Sequence, residues 1–419
     1  MSADVVVLGL GYVGLPLAQE AVRSGLEVLG FDVSSRVIEG LNAGKSHVDD
    51  LSDEAISDML AKGFRATSDE SEIRDAKVAV ICVPTPLAED GGPDLGAVIS
   101  ATRTVARQLT AGTLVVLEST TYPGTTEEVL RPILEEGGLV AGQDFELAFS
   151  PERIDPGNPV YGMKNTPKVV GGTTPAATEQ AAAFYRRFVD TVVEAKGARE
   201  AETAKLLENT FRHINIALVN EMARFCHELG IDLWDVIRLA KTKPFGFQAF
   251  YPGPGVGGHC IPIDPNYLSY NVRSKLGYPF RFVELAQEIN ATMPAYVARR
   301  VQDVLNDAQI ALNGANVLLL GVTYKPDIAD QRESPAVPLA QVLRDKGAVV
   351  SFHDPNVEKW RVNGDVLDRV ADLDTAVASA DVVVLVQNHH SYDLDALTAA
   401  APRFFDTRGA TTSDAVHRL

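Results

Sequence analysis

The chain has 419 residues, 46% of them hydrophobic and 22% charged, which is too long for one ordinary core and too apolar for disorder, so two or three globular domains are expected. With 56 Asp and Glu against 38 Lys and Arg the formal net charge is -18, which disfavours nucleic acid or an anionic membrane as a partner while allowing a small anion held by a few focused cations. No apolar run is long enough to span a membrane and the N-terminal MSADVVVLGLG has no basic leader, so a cytoplasmic protein is expected.

The first elements alternate short apolar runs with helical patterns. VVVLGLG, a helix to about Ser24 and EVLGFD come first, followed later by KVAVICVP, GTLVVLES and FELAFSP. Each run is too short for a helix and rich in Val, Ile or Leu, as in parallel strands covered on both faces. Gly9, Gly11 and Gly14 lie where the first strand turns into a helix, and Asp32 closes the second strand. In that context Gly9 permits the tight turn, Gly11 lets a pyrophosphate approach the main chain, and Gly14 allows close packing, while the helix N-terminus favours negative charge. Tyr12 and Val13 lie within the same loop and belong to the expected cofactor set. Asp32 would accept hydrogen bonds from a ribose and repel a 2′-phosphate, favouring NAD over NADP, with Arg36 as a contrary cation nearby. Similar fingerprints bind FAD, so the fingerprint alone does not name a reaction. Residues 1–195 form this first, Rossmann-like domain.

From about Arg199 to Leu229 the sequence is helical in period, has no internal Gly or Pro and stops at Gly230. Lys205, Asn209 and Arg212 recur on one face of it. A solvated polar face is the plain reading; a lysine aimed at a developing alkoxide is the sharper one. A second helical pattern, from about Arg281 to Asp307, contains Pro294, which should kink or divide it. Residues 196–307 therefore form a central helical region, of the kind that often supplies a dimer interface. Between its helices lies YPGPGVGGHCIPID, residues 251–264, whose glycines would let main-chain amides approach a ligand and leave Cys260 on a loop. After Asn313 the α/β rhythm returns with NVLLLGV, a helix near Val337 to Lys346, VVSFHD, DVVVLV and RFFDTRG. This third unit, residues 308–419, lacks a second GxGxxG and should bind something other than a dinucleotide. The fold class expected is α/β, two Rossmann-like domains joined by a long central helix region.

The three cysteines show no CxxC spacing, so neither a disulfide framework nor a metal site is expected. Cys82 falls in a strand and Cys226 in a helix, where a buried thiol is a small hydrophobe. Cys260 is different. A thiolate serves a dehydrogenase whose product is an acid: it attacks the aldehyde, the thiohemiacetal gives up a second hydride, and the thioester is hydrolysed. The adjacent His259 either lowers the thiol pKa or shapes the backbone and substrate pocket.

Taken together, these residues resemble the UDP-glucose/GDP-mannose dehydrogenase family of nucleotide-sugar 6-dehydrogenases. The resemblance rests on GLGYVGLPLA, VPTP at 83–86, ESTTYPGTTEE at 118–128, SPERIDPGN at 150–158, AKLLENTFRHINIALVNE, PGPGVGGHCIPIDP and GVTYKPDIADQRESP. It implies an N-terminal NAD domain, a central dimerisation region and a C-terminal domain that binds a UDP-sugar, in a homodimer or higher homo-oligomer. It also implies that Cys260 is the nucleophile, that Lys205 and Asn209 hold the oxyanion, and that Asp264, Glu152 and Thr120 orient water and assist proton transfer, without saying which is the base. Pro84, Thr85, Thr120 and Arg332 match positions that meet NAD. Glu152, Arg153, Lys205, Asn209, Arg212, Tyr251, Gly255, Gly257, His259, Lys325 and Arg408 match positions around the substrate.

Where UDP-glucose members commonly show GGSC, this chain has GGHC followed by IPIDP, which resembles the N-acetylhexosamine members. KTKPFGF at 241–247 looks like the N-acetylglucosamine subgroup, with Lys241 or Lys243 standing where some relatives supply a partner-subunit arginine. The expected reaction is therefore NAD-dependent four-electron oxidation of UDP-N-acetylglucosamine at C6, with UDP-N-acetylmannosamine or UDP-glucose as the alternative. A β-hydroxyacid dehydrogenase and a non-catalytic nucleotide-sugar binding protein are more remote readings, disfavoured by Cys260, Lys205 and Asp264.

Overall fold

The computed structural model of the chain describes residues 3–48, 51–88, 92–154, 158, 160–258, 261–413 and 415–419. These fall into two compact units, one made of 1–208 with 266–278, the other of 209–265 with 279–419.

The first unit is built on a sheet of β1 (Val5–Leu8), β2 (Val28–Phe31), β3 (Arg65–Thr67), β4 (Val78–Ile81), β5 (Leu114–Leu117), β6 (Glu146–Phe149), β7 (Lys168–Gly172) and β8 (Val192–Glu194). Their spatial order is β3-β2-β1-β4-β5-β6-β7-β8, parallel at every step except β6 to β7. β1 explains the unbroken apolar runs. Val5 and Val7 enter the core on one face and Val6 and Leu8 the core on the other, so no position is left for a polar residue. From β1 the chain goes to β2 on one side and later to β4 on the other, which opens a crevice at the C-terminal ends of β1 and β4.

The second unit carries a parallel sheet in the order β10-β9-β13-β14-β15, made of β9 (Asn316–Leu320), β10 (Val349–His353), β13 (Val382–Leu385), β14 (Phe404–Asp406) and β15 (His417–Arg418). A hairpin of β11 (Lys359–Val362) and β12 (Asp365–Asp368) lies outside that sheet. The order again reverses around β9.

The long helix runs Ala198–Glu228, within one residue of expectation at each end. The other runs unbroken over Arg281–Asp307 with Pro294 inside it, so the proline does not divide it. Met293, Val297, Val301 and Leu305 of this helix are fully buried in the core of the second unit. Burial of that face outweighs the roughly 3 kcal/mol that an interior proline costs. Among the described residues no helix is long and apolar enough to cross a membrane.

Candidate active site

The glycine-rich turn divides its three glycines between two tasks. A Cβ on Gly9, at φ 90°, would lie 2.7 Å from the Cys82 carbonyl oxygen, and one on Gly14 only 1.9 Å from the Gly9 carbonyl oxygen. Both positions are closed to any side chain by the protein itself. A Cβ on Gly11 would meet nothing within 4 Å, so open space lies where a pyrophosphate would approach. Asp32 accepts from the amides of Leu10 at 3.0 Å and Ser34 at 2.9 Å, which leaves further carboxylate lone pairs for ribose hydroxyls. Arg36 is exposed in the first turn of the Ser35–Asn42 helix, and Tyr12 is 38% exposed in the loop. The residues fit a dinucleotide: clearance at Gly11, an acid at the end of β2 and a helix N-terminus after the turn.

The segments that follow β4 and β5 are tied to each other. The Ser119 hydroxyl donates to the Val83 carbonyl at 2.7 Å, the Thr85 hydroxyl donates to the Thr120 carbonyl at 2.8 Å, and the Tyr267 hydroxyl donates to the Thr85 carbonyl. Pro84 stays exposed beside them. Buried Glu202, from the long helix, accepts from the amides of Gly124 and Thr126 and from the Thr126 hydroxyl, fixing the segment beyond Thr120.

Beside these lies a buried charged cluster. Lys168 Nζ is 2.9 Å from Glu118 Oε2 and 3.4 Å from Glu152 Oε2, and the Tyr185 hydroxyl donates to the other Glu118 oxygen. Burial pushes the Glu118 carboxyl up from its ordinary range, against the pull of Lys168. Burial also raises the Cys82 thiol well above its ordinary value, so Cys82 is inert packing. The Lys205 ammonium, itself buried, donates to the Glu152 main-chain carbonyl. Arg153 is engaged otherwise, pairing with Glu208 at 2.7 Å and donating to the Pro167 carbonyl at 2.7 Å.

In the second unit the Asn209 amide donates to Asp264 Oδ2 at 2.5 Å, and both residues are buried. Arg212, expected on the same face, is exposed. The glycines of the 251–258 loop serve packing more than ligand approach. A Cβ on Gly255 would lie 2.9 Å from Pro335 Cβ, one on Gly257 2.6 Å from the Glu333 carbonyl oxygen, and one on Gly258 2.9 Å from the Tyr324 ring. The Gly253 amide donates to Asn220, whose own amide donates to Asn290, whose amide in turn donates to the His213 carbonyl. This buried relay ties the loop to both long helices. His259 and Cys260 lie outside the described residues.

Arg408 stands beside this loop, its Nη1 3.0 Å from where a Gly253 Cβ would be, and its Nε donates to the Val386 carbonyl at 2.7 Å. Burial pulls its guanidinium down to about 10, which leaves it charged at neutral pH. Tyr251 is 48% exposed and stacks on Trp234, with Lys241 Nζ 3.5 Å from its hydroxyl. Lys243 sits over the Phe245 ring. Lys325 is half-buried on the segment after β9, and Arg332 is exposed and paired with Asp330 at 2.7 Å.

Sequence reasoning passed over Glu118, Lys168, Tyr185, Glu202, Asn220 and Asn290. Glu118 and Asn220 stood inside motifs already singled out, but a motif does not reveal which of its polar residues are buried.

A dinucleotide cradle at the switch point of a parallel sheet, with buried ammonium and carboxylate groups on the segments leaving that edge, defines an NAD-dependent oxidoreductase. The chain belongs to the UDP-glucose/GDP-mannose dehydrogenase family: the model of its NAD binding domain matches residues 3–189, that of its central domain 199–292 and that of its UDP binding domain 318–413. It is a nucleotide-sugar dehydrogenase. The UDP-N-acetyl-D-mannosamine dehydrogenase of Pyrococcus horikoshii is 37% identical over 390 residues, covering 93% of this chain and 90% of that one. The enzyme of that name from Salmonella typhi is 34% identical over 422 residues, covering 97% and 98%. The solved structure of the UDP-D-ManNAc dehydrogenase from Pyrococcus horikoshii superimposes with a TM-score of 0.89 at 34% identity, covering 99% of this chain and 97% of that one.

Proposed function

We propose that the protein oxidises the C6 alcohol of UDP-N-acetyl-D-mannosamine to the carboxylate. Near-full-length similarity to two enzymes named for that substrate carries the choice of sugar. It favours the mannosamine sugar, the alternative at the level of sequence, over the N-acetylglucosamine first expected.

The overall change converts R–CH2OH and water to R–COO⁻, with two hydrides passed on and three protons released. NAD, when bound, accepts the hydride from C6 in each oxidation. Cys260 adds as thiolate to the intermediate aldehyde, so that the second oxidation yields a thioester and no free aldehyde escapes. Lys205 and Asn209 stabilise the negative oxygen of each tetrahedral species. Asp264 and Thr120 orient the reacting groups, and Glu152 takes the proton of the water that hydrolyses the thioester. Support for Glu152 comes from its position at the edge that carries the dinucleotide cradle, where Lys168 and the Ile154 amide hold its carboxylate in place.

Gly9, Gly11, Tyr12, Val13, Gly14, Asp32, Pro84 and Thr85 form the cofactor side of this reading, with Arg36 beside the ribose and Arg332 matching a family position that meets the cofactor. Arg408 and Lys325 meet the diphosphate, and the 251–258 loop, His259 and Arg212 surround the sugar nucleotide. Arg153 supports the site through Glu208. The domain division adopted, 1–195, 196–307 and 308–419, is supported by the three matched ranges. A cytoplasmic location follows from the pools of NAD and nucleotide sugar that the reaction draws on.

We also infer a homodimer. Leu207, Phe211, Leu218 and Phe225 recur at heptad-like spacing along the long helix and are 64%, 46%, 53% and 45% exposed, an apolar stripe suited to a second copy of itself.

Initial rates with UDP-N-acetylmannosamine, UDP-N-acetylglucosamine and UDP-glucose test the substrate. The mannosamine sugar should give the highest kcat/KM, and a preference for either of the others overturns the choice.

A further inference from the structure

Lys168 is a buried ammonium, 3% exposed, and the single antiparallel step of its sheet delivers it to the edge where the site lies. β7 runs against β6, pairing Ala148 with Gly172 and Phe149 with Gly171. Continued past the end of β6, that pairing sets Lys168, the first residue of β7, opposite Glu152. A parallel β7 would have begun at the far edge. The Ser150 hydroxyl, which donates to the Val169 carbonyl at 2.8 Å, marks the same continuation.

Stability alone does not account for the cluster. Burying ions costs several kcal/mol each, and well-packed apolar groups often replace a buried pair with no loss. What the cluster provides is position. The Tyr185 hydroxyl holds Glu118, Glu118 holds Lys168, and Lys168 reaches one oxygen of Glu152 while the Ile154 amide donates to the other. The Lys168 ammonium also lies 5.2 Å from the Tyr185 ring centre, which removes another of its freedoms. The main chain of Glu152 is meanwhile fixed by Lys205. Two lysines thus set one residue, Lys205 through the carbonyl and Lys168 through the carboxylate. Burial works against charge on Lys168, but the flanking carboxylates outweigh it and keep the ammonium protonated.

We propose that Lys168 is a positioning residue for thioester hydrolysis, holding the Glu152 carboxylate in the orientation from which it accepts a proton from the attacking water. In that step the water oxygen bonds to the acyl carbon and the carbon–sulfur bond breaks with its electron pair returning to the Cys260 sulfur. One water proton passes to Glu152 and the other leaves the product carboxyl for solvent. The inference rests on the roles given above to Glu152 and Cys260.

Lys168→Met, Lys168→Arg and Glu152→Gln are to be compared with wild type, using the UDP sugar that wild type turns over fastest. Thermal unfolding checks each fold. If Lys168→Met is unstable, the double variant Lys168→Met/Glu118→Gln, which removes one charge of each sign, takes its place. The readouts are steady-state kcat and KM, the NADH burst, and the intact mass of protein quenched during turnover. Lys168→Met, or the double variant, should lower kcat roughly 10- to 100-fold with KM changed less than about threefold, and should show an NADH burst and a covalent acyl adduct. Lys168→Arg should restore most of the rate. If Glu152→Gln accumulates adduct and the Lys168→Met protein does not, the positioning role is wrong. If Glu152→Gln shows neither adduct nor burst, the reading of Glu152 itself falls, and the inference with it.

Discussion

His213 lies one turn beyond Asn209 on the long helix, 3% exposed, with Nδ1 unpartnered among the described residues. Burial lowers its pKa to about 4, so the imidazole is neutral at physiological pH. The unfolded chain, with a pKa near 6.5, binds the extra proton first as pH falls. The stabilisation is therefore complete above about pH 6.5 and is lost progressively toward pH 4, amounting to roughly 2–3 kcal/mol between pH 7 and 4.5. Urea midpoints of wild type should fall over that interval by more than those of His213→Phe; parallel pH profiles would show that His213 is not the group responsible. Such residues also mark the limit of what a sequence discloses. Lys205, Asn209 and Asp264 were singled out through their motifs and all three are buried, but Lys168 reads as the polar start of a short strand, and Asn220 and Asn290 as ordinary helix polars. Only the register of β7 and the approach of two helices make them partners.

At the scale of elements, the glycine-rich turn makes a prediction that separates folding from cofactor binding. Gly11→Ala places its methyl in open space, so the melting temperature should stay within about 2 °C while NAD affinity falls at least roughly tenfold, because the methyl occupies the pyrophosphate approach. Gly14→Ala drives a methyl into the Gly9 carbonyl and should lower the melting temperature by several degrees. Calorimetry and NAD titration distinguish the two; a Gly11→Ala protein that binds NAD normally would contradict the cradle. Most of the parallel strands were legible because both faces of each are buried, so their apolar runs are continuous. β3, β7, β8 and β15 were not, since Arg65, Lys168, the Gly171–Gly172 pair, Glu194, His417 and Arg418 break the apolar run and these strands owe their conformation to the neighbour they pair with. Pro294 shows tertiary burial overriding a local rule. The 251–258 loop shows the reverse limit: its glycines announced a special backbone, but not that Pro335, Glu333 and Tyr324 are what they accommodate.

The whole molecule must reconcile a net charge of -18 with an anionic cofactor and an anionic substrate. In the proposed reading local positive charge does this, with Arg408 charged despite its partial burial and the helix N-terminus after Gly11, which no side chain caps, facing the cofactor phosphates. The apolar stripe on the long helix has a further consequence at this scale. Wild type should sediment at twice the 45.0 kDa of one chain, and Leu218→Asp/Phe225→Asp at the mass of one; a wild-type monomer would rule the dimer out. We propose that one active site carries out both oxidations without releasing the aldehyde. Counting NADH formed per nucleotide sugar consumed, with limiting sugar and excess NAD, tests it most directly. Two NADH per sugar, with the uronic acid as sole product, is the predicted result; one NADH with free aldehyde accumulating would contradict it.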